Sequence, residues 1–216
     1  RQLAAMKKRN LVSFAKPIFF AACLLPVVIL AWNGLNGSLS ANPISDITNE
    51  TGVWTLRFIV LTLLITPVRK ITGWHWLIKF RRMIGLFAFF YGTLHFTTYL
   101  WLDQFFDWQS IVTDIPKRPF IAIGFASFIL MVPLAVTSTQ KMIRRLGGKK
   151  WDILHRLIYC TAVGAVIHYI WLVKVVTYRQ ITYAAIVAVL LLFRFIWKYR
   201  SNAVGTNRPA EKQVTA

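Results

Sequence analysis

The sequence is poor in acid. Seven Asp and Glu stand against 26 Lys and Arg in 216 residues, for a formal charge of +19. It is also poor in cysteine. Cys23 and Cys160 are the only two, both lie inside apolar runs, and no CxxC pattern occurs. That excludes a zinc ribbon or a disulfide framework and leaves both as small buried core residues. No glycine-rich dinucleotide fingerprint follows a strand, so direct NAD(P)H binding is not expected. No repeat of about 20–50 residues is visible, and the polar tail 201–216 is the one low-complexity candidate. No small-residue cleavage site follows the first apolar run, so that run is kept as a mature helix. Finally, there is no basic face with interleaved aromatics. Lys and Arg sit almost wholly between apolar runs, a pattern that argues against nucleic acid despite the charge.

What is present is apolar length. The chain is 56% hydrophobic, in runs of about 20 residues, enough to cross a hydrocarbon core of about 30 Å. The pattern predicts an all-α integral membrane protein, a six-transmembrane-helix bundle with spans near 17–33, 51–68, 83–102, 119–138, 151–173 and 178–198. Residues 1–16 and 199–216 are read as flanking tails. Pro17, Pro67 and Pro119 are placed near helix ends, and Pro26 and Pro133 inside helices, where membrane neighbours can satisfy the freed carbonyls. Lys and Arg then number five in the first tail, none, five, two, five and two in the successive loops, and four in the last tail. By the positive-inside rule both termini are cytoplasmic, and the expected location is a bacterial inner membrane. Trp32, Trp54, Trp101, Trp151, Trp171 and Trp197 fall near span ends, as interfacial tryptophans do.

Of four histidines, His75 falls in a loop and reads as solvated. His95, His155 and His168 fall within spans, where a costly polar group is usually functional. Neutral imidazole is also the commonest haem and metal ligand among side chains. From the cytoplasmic starts of their helices, His95 lies about 18 Å in and His168 about 25 Å, while His155 lies only about 6 Å in. His95 and His168 can therefore meet in the outer half of the membrane. Two imidazoles at similar depth suit an axially bis-ligated b-type haem, whereas zinc or copper would want further ligands. Gly92 and Gly164, each one turn before a histidine, leave room for a porphyrin edge or for close helix packing. His155 and His168 are about 140° out of phase on an ideal helix. They share a face only if the helix is distorted, as by a π-bulge near Gly164.

The stretches "ITPVRK", "RRMIGLFAFFYGTLHFTTY", "TSTQKMIRRLGGKKWDILHRLIY" and "VIHYIWLVK" resemble the ferric-reductase-like transmembrane family over residues 45–198. Within that family the likeness is to the haem-binding membrane subunits of bacterial methionine sulfoxide reductase systems. The resemblance implies a ferric-reductase-like bundle that takes electrons from the quinone pool or a cytosolic flavin reductase. It implies FMN as a candidate cofactor beside haem b, and a periplasmic molybdopterin enzyme as electron acceptor, for repair of oxidised methionine. It also implies His95, His155 and His168 as haem-site residues.

The sequence departs from the wider family's two-haem pattern, because Arg81 or Arg82 stands where a second helix-three histidine would be. His155 thus lacks its partner, and either a second haem has another ligand or the inner region holds something else. Arg81, Arg82, Arg144, Arg145 and Arg156 gather at the cytoplasmic face, where they would grip an FMN phosphate or simply anchor the face to anionic lipid. Arg57, inside the second span, is expected to pair with a haem propionate, and Arg194 to snorkel. The segment "DQFFDWQSIVTDIPKRP" reads as an interfacial loop or a docking surface. Two rival functions are a ferric or cupric reductase, which would need a separate nucleotide-binding subunit, and a histidine-relay transporter.

Overall fold

The computed structural model describes the backbone of residues 2–206 and the side chains of 14–200; the last part of the predicted polar tail, 207–216, lies outside the described residues. Among the described residues nine α-helices follow one another: α1 (Gln2–Leu35), α2 (Pro43–Thr72), α3 (Ile78–Thr98), α4 (Trp108–Lys117), α5 (Pro119–Val136), α6 (Gln140–Leu146), α7 (Gly148–Leu154), α8 (Leu157–Trp171) and α9 (Tyr178–Thr206). A 3-10 turn at His75–Leu77 leads into α3, and a π turn at Tyr99–Asp103 extends it. No strand occurs among the described residues. Six helical stretches among the described residues are long and apolar enough to cross a membrane: Phe14–Leu35, Pro43–Thr72, His75–Asp103, Pro119–Val136, Gly148–Trp171 and Tyr178–Arg200. Six passes put the α2–α3 and α5–α8 connections at one end, rich in Lys and Arg. The other three connections lie at an arginine-poor end.

The broadest packed faces join α2 to α3 and α5 to α8; α3 also meets α5, α9 lies against α8 and α2, and α1 is peripheral. Buried Leu56, Ile59, Leu63, Ile84, Phe87, Tyr91, Met131, Ile158 and Ala162 form the centre. The outward faces are apolar too, with Phe14, Ile18, Trp32, Val189 and Phe195 exposed, as lipid-facing positions require.

The helices depart from the predicted spans where polar residues shape their ends. α2 begins eight residues before its predicted start. The Asn42 side chain accepts from the Ser45 N–H at 3.2 Å, Pro43 opens the helix, and Asp46 sits in its first turn, a capping arrangement that hydropathy does not register. It ends at Gly73, whose left-handed φ of 73° lets its N–H reach the Arg69 carbonyl. Pro17 and Pro67 lie inside helices rather than at their ends, and the stretch 2–16 read as a tail is helical. The segment read as a loop contains α4, capped by Asp107, whose carboxylate accepts from the Gln109 and Ser110 N–H groups. The Ser110 hydroxyl and N–H hold that exposed carboxyl below its ordinary range. Phe105 and Phe106 adopt positive φ values of 49° and 58° in the preceding turn. Cys23 is buried as expected, but Cys160 is exposed on the outer face of α8.

Two side chains repair backbone within the bundle. Pro67 has no N–H to give the carbonyl four residues back, that of Leu63. Arg194 supplies the missing donor at 2.6 Å and also donates to the Tyr159 hydroxyl at 2.8 Å. Arg194 therefore turns inward rather than snorkelling. In α1, beside Pro26, the Tyr91 hydroxyl stands between Val27 and Cys23. It accepts from the Val27 N–H at 3.1 Å and donates to the Cys23 carbonyl at 2.9 Å. Tyr91 is fully buried and stacks on Phe58 at 5.2 Å, so it ties the peripheral helix to α2 and α3. Tyr91→Phe removes both bonds and is expected to destabilise the protein by about 1–3 kcal/mol. Thermal unfolding of the detergent-purified variant, with an unchanged midpoint as the contrary result, checks this.

Candidate functional site: a histidine pair between two helix pairs

His95 on α3 and His168 on α8 come together with ring centres 6.0 Å apart and planes at 73°. Neither ring is free to turn. His95 Nδ1 lies 2.9 Å from the Thr48 carbonyl of α2, and His168 Nδ1 lies 2.6 Å from the Phe120 carbonyl of α5. A carbonyl only accepts, so each Nδ1 carries the proton and each Nε2 keeps its lone pair. Both imidazoles are thus held as neutral donors to a carbonyl with the lone pair of the other nitrogen free, the orientation that metal-binding histidines adopt.

The two anchors are built alike. In a helix, the Cβ of residue i+4 leans back over the carbonyl of residue i. Four residues after Thr48 stands Gly52, and four after Phe120 stands Gly124. A Cβ at Gly52 would lie 3.0 Å from His95 Cε1, and one at Gly124 would lie 2.6 Å from His168 Nδ1. The missing methyl groups are what let each imidazole reach its carbonyl. Sequence reasoning named Gly92 and Gly164 instead, because they precede the histidines on the same helices. Gly92 does line the space around the pair, but Gly164 is a packing position: a Cβ there would strike the Ser127 hydroxyl. The glycines that matter lie across helix interfaces, and only their presence in apolar runs hinted at them.

The pair opens into a cavity of about 560 Å³ between α2, α3, α5 and α8, within the size range of cofactor sites, about 300–1,000 Å³. Its walls include Ile59, Phe96, Phe125, Phe128 and Met131. Its arginine-poor end carries Asn42, Ser45, Asn49, Asp103 and Arg118. The Thr161 hydroxyl, fully buried, lines it without a hydrogen-bond partner. Among the described residues no three His, Cys, Asp or Glu side chains converge, so a tetrahedral zinc centre has no donor set here. A metal held linearly between two imidazoles, each bond about 2 Å, would put the ring centres roughly 6 Å apart. The donors, spacing and apolar walls therefore fit a bis-histidine haem.

A second cavity, of about 290 Å³, lies toward the arginine-rich end and holds His155, Arg81 and Arg82. His155 is wired differently from the other two histidines. The Thr137 hydroxyl gives its proton to the Pro133 carbonyl at 2.6 Å, so at 3.1 Å it accepts from His155 Nε2. The ring also stacks on Trp151 at 3.9 Å. The break that separates His155 from the phase of His168 is not at Gly164. It falls at 155–156, between α7 and α8, where three-residue hydrogen bonds replace the helical ladder; the π turn among the described residues lies at the end of α3 instead. Of the arginines expected to gather, only Arg81 and Arg82 line the cavity, while Arg144, Arg145 and Arg156 are exposed elsewhere on that face. His75 is exposed in its turn, as expected. Arg57 does not line the histidine cavity. It donates to the Tyr183 hydroxyl at 3.2 Å and covers the Trp54 ring at 4.3 Å. Arg118, which sequence reasoning passed over, does line it.

The glycine contacts give a graded expectation. Gly124→Ala must displace His168 from Phe120 and should cost about 1–3 kcal/mol of stability, as overpacking does. Gly92→Ala, whose nearest contact would be 3.5 Å, should be close to neutral. Equal unfolding midpoints for the two variants would contradict the anchoring role.

The chain matches the family model described as "Ferric reductase like transmembrane component" over residues 51–166, which includes His95 and His155 and ends two residues before His168. It is 50% identical over 194 residues to the "Protein-methionine-sulfoxide reductase heme-binding subunit MsrQ" of Herminiimonas arsenicoxydans, covering 89% of each chain. It is 50% identical over 204 residues to the protein of that name from Azospira oryzae, covering 94% of this chain and 88% of the relative. A third relative of that name, from Xanthomonas oryzae pv. oryzae, is 43% identical over 215 residues, covering 97% of this chain and 98% of its own. With relatives this similar along nearly its whole length, and a family model that matches more than half of it, the chain belongs to the MsrQ family of ferric-reductase-like transmembrane proteins.

Proposed function

We propose that this chain is the haem-bearing electron carrier of a bacterial methionine sulfoxide reductase system. It sits in the inner membrane with both termini cytoplasmic, a membrane domain at 17–198 and flanking segments at 1–16 and 199–216. The observation that carries the reading is the His95–His168 pair, 6.0 Å apart with both Nδ1 atoms tied to carbonyls. These two residues would hold haem b in the larger cavity, and the haem supplies one-electron chemistry when bound. The chain's own part is to fix two neutral ligands, keep water out with apolar walls, and set nearby charge. The electron acceptor is an MsrP-like periplasmic molybdopterin subunit, on which sulfoxide reduction occurs. The donor is quinol in the bilayer or a cytosolic flavin reductase.

The smaller cavity is the inner station. His155 and Arg81 line it with Arg82, and an FMN phosphate or a second haem would find its cations there. Arg144, Arg145 and Arg156 serve the same face by drawing anions and lipid phosphates toward it. Met131 lines both cavities, and Phe89 of the inner one stacks on Phe128 of the outer at 5.8 Å and 4°. Polarisable side chains thus fill the gap between the two stations. A ferric or cupric reductase would use the same outer site, and a histidine relay would leave the protein colourless.

Purified from cells well supplied with haem, the wild-type chain should show a Soret band that sharpens and shifts on reduction. His95→Ala and His168→Ala should each abolish it, while His155→Ala should leave the outer haem in place. A colourless wild-type protein would sink the reading. Flavin measured per chain, with Arg81→Leu as the variant, decides whether the inner station holds FMN: bound flavin lost in the variant is the expected outcome.

A further inference from the structure

A haem carries two carboxylates, and an apolar cavity that takes it must meet them with cations or hydrogen-bond donors where they emerge. The residues around the larger cavity include a single Lys or Arg, Arg118. Arg57, the cation expected from sequence, is committed to Tyr183 and Trp54. We propose that Arg118 is the propionate-binding residue of this cavity and that Asp114 and Tyr99 are the positioning residues that aim it. The proposal rests on the haem reading above.

The geometry around Arg118 is fixed from several sides. It precedes Pro119, which forces an extended backbone, and it adopts φ −112° and ψ 96°. This elbow turns the chain from α4 into α5. The Arg118 N–H donates to the Asp114 carbonyl at 3.1 Å, and its Nε donates to Asp114 Oδ1 at 2.7 Å, the one ion pair among the described residues. Asp114 Oδ2 accepts from the Tyr99 hydroxyl at 3.2 Å, and Tyr99 belongs to the π turn and lines the same cavity. The carboxylate is therefore held on both oxygens, and it holds the guanidinium by Nε. The two terminal nitrogens of Arg118 take no partner among the described residues, and its side chain is 52% exposed. Two residues further on, the Phe120 carbonyl anchors His168. The cation and His168 are thus both placed by the first turn of α5. Asn42, Ser45 and Asn49, at the start of α2, border the same opening and offer neutral donors to the second carboxylate.

Reduction adds a negative charge to the haem, so a cation beside it favours the reduced form and an anion disfavours it. The midpoint potential reads this without any partner protein. Wild type, Arg118→Leu, Arg118→Lys, Asp114→Asn and Arg57→Leu are purified in detergent and titrated spectroelectrochemically. Arg118→Leu should lower the potential, Arg118→Lys should lower it less, and Asp114→Asn should raise it. Arg57→Leu should leave it near wild type. Shifts of opposite sign at Arg118 and Asp114 follow from charge and not from loosened packing, and Asp114→Asn keeps the test alive if Arg118→Leu does not fold. An unmoved potential in both variants, shifts of one sign in both, or a larger fall for Arg57→Leu overturns the proposal while leaving the bound haem intact. A wild-type protein without haem overturns it together with the function on which it rests.

Discussion

A shared helix carbonyl is the constraint on which this site depends. The carbonyls of Thr48 and Phe120 lie inside helices, where each already receives the N–H of residue i+4. A carbonyl oxygen has a second lone pair, and here the imidazole takes it. The bond is available only because residue i+4 is glycine in both helices. Each histidine is gripped within its own helix pair, His95 by α2 against α3 and His168 by α5 against α8. Those are also the two pairs with the broadest contact. The cavity is the seam between two rigid halves, so its histidine spacing is set by packing and not by side-chain freedom.

The same principle runs through the rest of the bundle. In a membrane, a backbone group freed by proline or distortion has no water to turn to. Pro67 frees the Leu63 carbonyl, and Arg194 crosses from α9 to bind it. The opening in α1 beside Pro26 is filled by the Tyr91 hydroxyl. At the end of α5, the Thr137 hydroxyl returns to the Pro133 carbonyl and thereby sets the tautomer of His155. In each case a polar side chain in an apolar bundle has a backbone partner, and one of them leads directly into a candidate site. Arg194 also shows why a half-buried cation here needs no carboxylate: a carbonyl and a phenol stand in for one.

Much of this was legible in the sequence, for definite reasons. Apolar run length revealed six spans, because bilayer thickness fixes helix length. Depth along α3 and α8 brought His95 and His168 to one level, because helical rise is constant. What stayed hidden depended on contacts across helices. Thr48, Phe120, Gly52 and Gly124 carry no motif, and their roles exist only once α2 meets α3 and α5 meets α8. The start of α2 was missed because capping residues are polar, and hydropathy reads Asn42 to Glu50 as loop. α4 was missed for the same reason. Arg57 was favoured over Arg118 because a charge inside a span draws attention, whereas a charge at a helix elbow looks incidental. Its i,i+4 spacing from Asp114, across a chain turn, was the available signal.

The two stations differ in ways that bear on what each can hold. The wider two-haem pattern needs a second histidine on α3, and this chain has Arg81 and Arg82 there. The space follows the sequence: the inner cavity is about half the volume of the outer, 290 against 560 Å³. The ligand chemistry follows too. His95 and His168 present Nε2 with its lone pair free, whereas His155 spends Nε2 on Thr137 and stacks its face on Trp151. A planar group entering the inner cavity would therefore meet guanidinium donors and an indole before it met a free imidazole nitrogen. That chemistry suits an anionic or hydrogen-bonding redox partner better than a second copy of the outer arrangement. The asymmetry follows from exchanging one histidine for arginine on α3 and from the short-turn break between α7 and α8.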